Sequence, residues 1–177
     1  MAWHGFVAKG VPEPAMAYFE PATSPEEMLA LAWYLEHGSK RFYATLATET
    51  EEDTATVLYQ ELARAEDRHQ ASLLDLYRHL SGVSPDAPFP GAIISAEGRD
   101  EVMEGGMRVS EALGWTRGKK LVEVLDVSIG LEANSLDLYL VMEKRMKDQA
   151  VGKVLKALAG EEREHLERLS ALLEKNS

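Results

Sequence analysis

The chain has 177 residues, of which 45% are apolar, so it is long and hydrophobic enough to bury one core and form a single domain. Its net charge of −11 at pH 7 argues against nucleic acids and anionic membranes as partners, because both attract basic surfaces. It contains no cysteine, which excludes disulfides, cysteine-ligated zinc or iron–sulfur centres and a cysteine nucleophile within this chain.

The N-terminal segment differs in composition from the rest of the chain. Residues 1–22 are rich in glycine, proline and aromatic side chains without a regular hydrophobic period, which predicts an irregular arm. The arm lacks the basic and apolar segments of a secretory signal, and the chain has no apolar run of about eighteen residues or more. We therefore expect a cytoplasmic protein without a membrane-spanning segment.

The first two predicted helices are joined by a short link. Ser24, followed by proline and two glutamates, is typical of a helix N-terminus, and apolar residues at helical spacing then predict a helix over about 25–48. Thr50 with Asp53 begins a second predicted helix that runs to about Leu80, where Gly82 supplies the left-handed residue of a helix C-terminus. A link of a few residues makes this pair an antiparallel hairpin.

A long connection over 82–118 separates this hairpin from a second one. Its prolines and glycines interrupt the hydrophobic period, although a short helix near 109–116 is compatible with the pattern. Helices are then predicted over about 119–146 and 149–175, again with a short link. Short, long and short links are the connectivity of a four-helix bundle with one crossover, so we predict an all-α domain over 23–177.

The two predicted hairpins repeat each other with a constant offset of 96 residues and without a gap. This repetition predicts a pseudo-twofold axis that relates the hairpins. The matched pairs are Leu35 and Leu131, Glu36 and Glu132, Ser39 and Ser135, Tyr43 and Tyr139, Leu62 and Leu158, Ala63 and Ala159, Glu66 and Glu162, His69 and His165, and Leu73 and Leu169.

Each predicted helix carries one glutamate inside its apolar stripe, at Glu36, Glu66, Glu132 and Glu162. Glutamate is rarely buried without a partner, and four converging carboxylates would repel each other. Two divalent cations would resolve this conflict, since four negative charges would then meet four positive ones. His69 and His165 each follow a glutamate by three residues, on the same helix face. One such pair is usually solvated surface, but two copies in register predict a two-metal site in the bundle.

The stretches LEHGSKRFY and EDRH, and then LEANSLDLY and EREH, resemble the rubrerythrin-like branch of the ferritin-like di-iron carboxylate proteins. The resemblance covers about residues 25–175 and implies a ferritin-like four-helix bundle of two antiparallel hairpins with a long crossover. It implies that the glutamates paired with histidines are terminal ligands and that the other two glutamates bridge the metals or swing. The implied ligands are Glu36, Glu66, His69, Glu132, Glu162 and His165.

The same resemblance implies two iron ions as the cofactor, and carboxylate and imidazole ligands would also suit manganese. It implies reduction of hydrogen peroxide or dioxygen with electrons from an external donor, and assembly as a homodimer. Tyr43 and Tyr139 lie beyond the two glutamates without a paired histidine, and we expect them to donate hydrogen bonds to those carboxylates or to bound oxygen. The alternative for each is a core tyrosine whose hydroxyl is satisfied elsewhere.

Two departures from the family pattern keep other functions open. Rubrerythrins carry a further carboxylate one turn from the ligand on the third helix, where this chain has Ile129 and Ser135. They also carry a rubredoxin domain as electron donor, which a chain without cysteine cannot contain. The alternatives are an iron-binding or iron-handling module without turnover, and a metal-free helical interaction domain.

The arm carries a second resemblance. Its stretch AWHGFVAKG is similar to the last helix and tail of a rhodanese-type sulfurtransferase domain, a module that is sometimes fused ahead of a rubrerythrin-like one. This resemblance implies that the chain is, or descends from, the second module of such a fusion. An ordinary N-terminal extension is the alternative, and the rhodanese catalytic cysteine is absent from this chain.

Overall fold

A computed structural model describes residues 24–82, 89–91, 93 and 102–177, so the predicted arm over 1–22 lies outside the described residues. Within these ranges the protein is all-helical, which confirms the predicted class. The elements are α1 Pro25–Glu49, α2 Asp53–Ser81, a 3₁₀ turn at Glu104–Gly106, α3 Val109–Thr116, α4 Leu121–Arg145 and α5 Gln149–Asn176.

Helix α1 begins as its sequence predicts, whereas the start of α2 needs a correction. The hydroxyl of Ser24 accepts a hydrogen bond from the backbone N–H of Glu27 at 3.1 Å, and the Glu27 carboxylate accepts from the N–H of Ser24 at 2.8 Å. Thr50 does not begin α2, because its N–H still donates to the carbonyl of Leu46 at 2.9 Å and so ends α1. The carboxylate of Glu52 caps α2 instead.

Helices α1 and α2 pack along each other, as do α4 and α5, so each short link closes a hairpin. Two contacts between the hairpins fix their relative direction. Tyr43 on α1 hydrogen-bonds Glu132 on α4, whereas Tyr139, further along α4, hydrogen-bonds Glu36, which lies earlier on α1. Helices α1 and α4 are therefore antiparallel.

Helices α2 and α5 are antiparallel for the same kind of reason. Arg68 lies 3.4 Å from Glu161, while Arg168, later on α5, pairs with Glu61, which lies earlier on α2. Since α2 opposes α1 and α4 opposes α1, helices α2 and α4 run in the same direction. The chain must therefore return along the whole bundle between them, at about 1.5 Å per helical residue, which explains the long crossover.

Apolar side chains form one buried cluster on each side of a polar level in the bundle. One cluster contains Leu62 and Leu125, and the other contains Leu73 and Leu155. Glu66 and His69 of α2 lie between Leu62 and Leu73, each about one helical turn from the nearer leucine. No helix in the described part of the chain is both long and apolar enough to cross a membrane.

Candidate metal centre

All six predicted ligands are buried at this polar level, and none is more than 6% exposed. Their ligand atoms form two groups, within each of which all atoms lie within 4.8 Å of one another. The first group is Glu36, Glu66, His69 and Glu162, and the second is Glu66, Glu132 and His165. In the first group His69 and Glu66 come from the same helix, where residues three apart share a face. The second group brings together side chains from three helices, α2, α4 and α5.

Both histidines turn their Nδ1 atoms toward the carboxylates. Nδ1 of His69 lies 3.0 Å from Oε1 of Glu162 and 3.2 Å from Oε2 of Glu66. Nδ1 of His165 lies 2.8 Å from Oε2 of Glu132 and 3.2 Å from Oε2 of Glu162. The imidazole rings stand 5.8 Å apart and are inclined by 25°, so the two Nδ1 atoms face one shared polar space.

Glu66 and Glu162 are placed differently from Glu36 and Glu132 relative to the two histidines. Glu66 belongs to both ligand groups, and the two oxygens of Glu162 face different histidines, Oε1 toward His69 and Oε2 toward His165. These two glutamates therefore lie between the two groups, where bridging ligands would be placed. Glu36 and Glu132 each face a single histidine, His69 and His165 respectively.

The two predicted tyrosines donate hydrogen bonds to carboxylates, but each crosses to the other hairpin. The hydroxyl of Tyr43 donates to Oε1 of Glu132, and the hydroxyl of Tyr139 donates to Oε1 of Glu36. Burial first, and then the neighbouring carboxylates, raise the pKa of both hydroxyls well above the usual range. Both side chains therefore hold their protons and act as donors, and the two contacts are equivalent under exchange of the hairpins.

Burial and mutual repulsion keep protons on this cluster. Burial raises the pKa of Glu132 to about 7, and it raises that of Glu66 well above the usual range. Glu162 is the exception: burial opposes its charge, but the hydrogen bond with His165 and the close contact with His69 hold its pKa below the usual range. Although burial alone would lower it, contacts with Glu132 and Glu162 raise the pKa of His165 to about 9.

A fifth carboxylate, Glu104, lies in the interior and was not predicted from the sequence. It sits in the 3₁₀ turn of the crossover, is 2% exposed, and has no hydrogen-bond partner for either oxygen among the described residues. Burial and then the charge of Glu36 raise its pKa well above the usual range. The sequence gives little sign of this burial, because a single glutamate in a glycine-rich loop is usually exposed at the surface. The following Gly105 and Gly106 indicate only a tight turn.

The outer nitrogen of one histidine also faces a carboxylate. Nε2 of His69 lies 3.4 Å from Oε2 of Glu161, and that oxygen lies 3.4 Å from Nη2 of Arg68 at the surface. The repeat pairs His69 with His165 and Glu161 with Ala65. Ala65 therefore occupies the place near His165 that Glu161 occupies near His69, and alanine has no side-chain acceptor. The two histidines are therefore supported differently.

The donor set fits hard or borderline divalent cations. Three of its buried polar atoms, Oε2 of Glu36, Oε1 of Glu162 and Nδ1 of His69, have no well-formed hydrogen bond within the described residues. Those residues bury five glutamates and no lysine or arginine, so the two histidines are the only basic side chains available to the carboxylates in the described interior. Carboxylate oxygen and imidazole nitrogen without sulfur are ligands that suit iron and manganese.

Comparison with known proteins supports the fold and leaves the function open. No protein-family model matches the chain, and no curated protein does. Among solved structures, a hypothetical protein from Pyrococcus furiosus matches with a TM-score of 0.68 and 23% identity, over 93% of this chain and 95% of that one. The two proteins share the helical fold over almost their whole lengths.

Proposed function

We propose that the chain is a ferritin-like di-metal carboxylate protein of the rubrerythrin-like kind, which binds two iron ions and reduces hydrogen peroxide or dioxygen. The observation that carries this proposal is the pair of buried ligand groups that meet at Glu66. The helix directions support it, because two antiparallel hairpins joined by a crossover are the ferritin-like arrangement. Manganese would suit the same donors.

In this proposal Glu66 and Glu162 would help to hold both metals, since their carboxylates face both groups. Glu36 and His69 would hold one metal, and Glu132 and His165 would hold the other. Four helix carboxylates would balance two divalent cations, which would remove the repulsion that adds to burial in raising the pKa of Glu66. Metal binding would therefore displace protons from the cluster.

Two ferrous ions, when bound, would supply the two electrons that, with two protons, convert one hydrogen peroxide into two waters. The protein's own residues would control access and protons around that reaction. The apolar clusters on either side of the polar level exclude water. The hydroxyl of Tyr43 donates a hydrogen bond to Glu132, and that of Tyr139 donates one to Glu36. Because the chain has no cysteine, an external donor must supply the electrons for repeated turnover.

The test begins with metal content after anaerobic addition of ferrous iron. We expect two irons per chain in the wild type and a clear loss in the double variant Glu66→Ala/Glu162→Ala. A matched control, Glu51→Ala/Glu164→Ala, removes two exposed glutamates and should keep both irons. No bound metal in the wild type would contradict the proposal and favour a helical interaction domain.

The second measurement separates an enzyme from an iron-handling module. Iron-loaded protein is supplied with hydrogen peroxide and an excess of a chemical reductant, and peroxide is followed over many equivalents. Steady consumption that is lost in the double variant supports the oxidoreductase. Consumption of only one equivalent per iron pair would favour an iron-binding module without turnover.

A further inference from the structure

Glu104 has a buried side chain but is not one of the six proposed metal ligands. It is 2% exposed, and both carboxylate oxygens lack a hydrogen-bond partner among the described residues. A buried carboxylate is strongly unfavourable unless a proton or a cation compensates its charge. No lysine or arginine is buried in the described ranges, and the two buried histidines face the other glutamates, so a metal ion is the cation that this interior is suited to offer Glu104.

The backbone around Glu104 forms a tight loop that is fixed at both ends. The N–H of Met103 donates to the carbonyl of Met107 at 2.9 Å, and both methionine side chains are buried in the core. Gly105 and Gly106 have φ values of 76° and 74°, which other residues rarely adopt. The turn therefore depends on these two glycines, and it holds the glutamate at a defined place.

The loop lies against the helix that carries Glu36. A Cβ atom at Gly38 would lie 2.2 Å from the carbonyl oxygen of Val102, so the crossover and α1 are in direct backbone contact there. The 3₁₀ turn also packs against α4. Glu104 is thus held between the two helices that supply Glu36 and Glu132, facing the polar level from the crossover side.

We propose that Glu104 is a further carboxylate ligand of the metal centre, supplied by the crossover and not by a long helix. This inference rests on the proposed function. Before metal binds, Glu104 stands outside both tight ligand groups, and we expect its carboxylate to turn onto a metal when the centre fills. The repeat offers no counterpart, since the residue 96 positions earlier is Ala8, so this ligand makes the two metal positions unequal.

The test uses Co²⁺ as a spectroscopic probe on the full chain, in the wild type and in Glu104→Gln. Cobalt is titrated in competition with a chelating dye to obtain the affinity of each position, and its visible absorption reports the number of ligands. Glu111→Gln, an exposed change on the neighbouring α3, is the control. Denaturant unfolding of the metal-free proteins shows whether the variant is folded.

We expect the wild type and the control to bind two cobalt ions per chain. Glu104→Gln should bind one of the two ions with an affinity lowered by about tenfold or more. The visible absorption of that ion should become stronger, because it loses a ligand. The metal-free variant should unfold at equal or higher denaturant, because a buried carboxylate has been removed.

Three results would overturn the inference. Unchanged affinities and an unchanged spectrum would show that Glu104 is not a ligand, with the two-metal proposal left intact. A lower affinity with an unchanged spectrum would assign Glu104 a purely electrostatic effect. A wild type that binds no cobalt, iron or manganese would remove this inference together with the proposed function.

Discussion

The hydroxyl of Tyr139 on α4 donates a hydrogen bond to Oε1 of Glu36 on α1. In the matching pair the helices are exchanged: the hydroxyl of Tyr43 on α1 donates a hydrogen bond to Glu132 on α4. Each hairpin thus supplies a proton donor to a carboxylate of the other, and the two contacts tie the halves of the repeat together at the level of the candidate centre.

Replacing both tyrosines tests whether these donors act on the chemistry. We expect Tyr43→Phe/Tyr139→Phe to keep two irons per chain but to oxidise ferrous iron about tenfold more slowly, since a hydrogen bond to a charged group contributes about 1.5–3 kcal/mol. Stopped-flow absorbance after mixing with peroxide measures the rate. Tyr77→Phe, a buried change that stacks on Phe89 outside the centre, is the control and should match the wild type. Equal rates in all three proteins would assign the tyrosines to packing alone.

The contact between Glu161 and His69 predicts an asymmetry between the two metal positions. Loss of a carboxylate that orients a metal-bound histidine typically lowers metal affinity by about 10- to 100-fold. We expect Glu161→Ala to lower the affinity for one of the two metals by that amount and to leave the affinity for the other unchanged. Only His69 has this carboxylate partner, because Ala65 occupies the corresponding place near His165.

Competition titration with Mn²⁺ and a chelating dye measures both affinities in one experiment. Glu164→Ala removes an exposed carboxylate on the same helix and should leave both affinities unchanged. An equal loss at both positions would mean that Glu161 acts through long-range charge and does not orient His69.

Much of the framework can be predicted from the sequence because it depends on local patterns. The helical period fixes α1, α2, α4 and α5 to within a few residues, and a glutamate within each apolar stripe indicates four side chains that must meet. The repeat adds that the two hairpins are equivalent. These signals need only the spacing of residues along one helix or across one offset.

The features that could not be predicted depend on how distant segments dock. Glu104 becomes an interior residue only because its loop packs against Gly38, which no local pattern shows. The crossed tyrosine contacts and the placement of Glu66 between both ligand groups likewise depend on which faces of the hairpins meet. Thr50 ends α1 and does not begin α2, because a polar residue can cap the end of one helix as well as the start of the next.

The close contact at Gly38 predicts that this position cannot carry a side chain without moving the crossover. A Cβ atom 2.2 Å from the carbonyl of Val102 cannot be relieved by a side-chain rotation, because the obstacle is backbone. We expect Gly38→Ala to lower the free energy of unfolding by about 1–3 kcal/mol and also to lower metal affinity, since the loop that carries Glu104 is displaced. Urea unfolding and metal titration measure the two effects.

Gly152→Ala is the matched control, because an added Cβ on this residue of α5 meets no atom within 4 Å. It should raise stability by about 0.5–1 kcal/mol, as expected for alanine in place of glycine inside a helix. If Gly38→Ala behaved in the same way, the tight approach of the crossover to α1 would be contradicted.

The buried cluster predicts that the metal-free protein loses stability as the pH rises. Glu132 has a pKa of about 7 in the folded protein against 4.5 for a free glutamate, and His165 has about 9 against 6.5. In both windows the folded state holds more protons than the unfolded state, so the free energy of unfolding falls as pH rises through them. The lowered pKa of Glu162 acts below these windows and does not reverse the trend.

Urea unfolding of chelator-treated protein at about pH 5, 7 and 9 measures this dependence, and we expect the midpoint to fall at each step. Glu132→Gln should flatten the fall between about pH 5 and 7, because the titrating group has been removed. Addition of Mn²⁺ should reverse the trend, since metal ions replace the protons and bind more tightly as the ligands lose them. A metal-free midpoint that rises with pH would mean that the carboxylates are balanced by protein cations and not by protons.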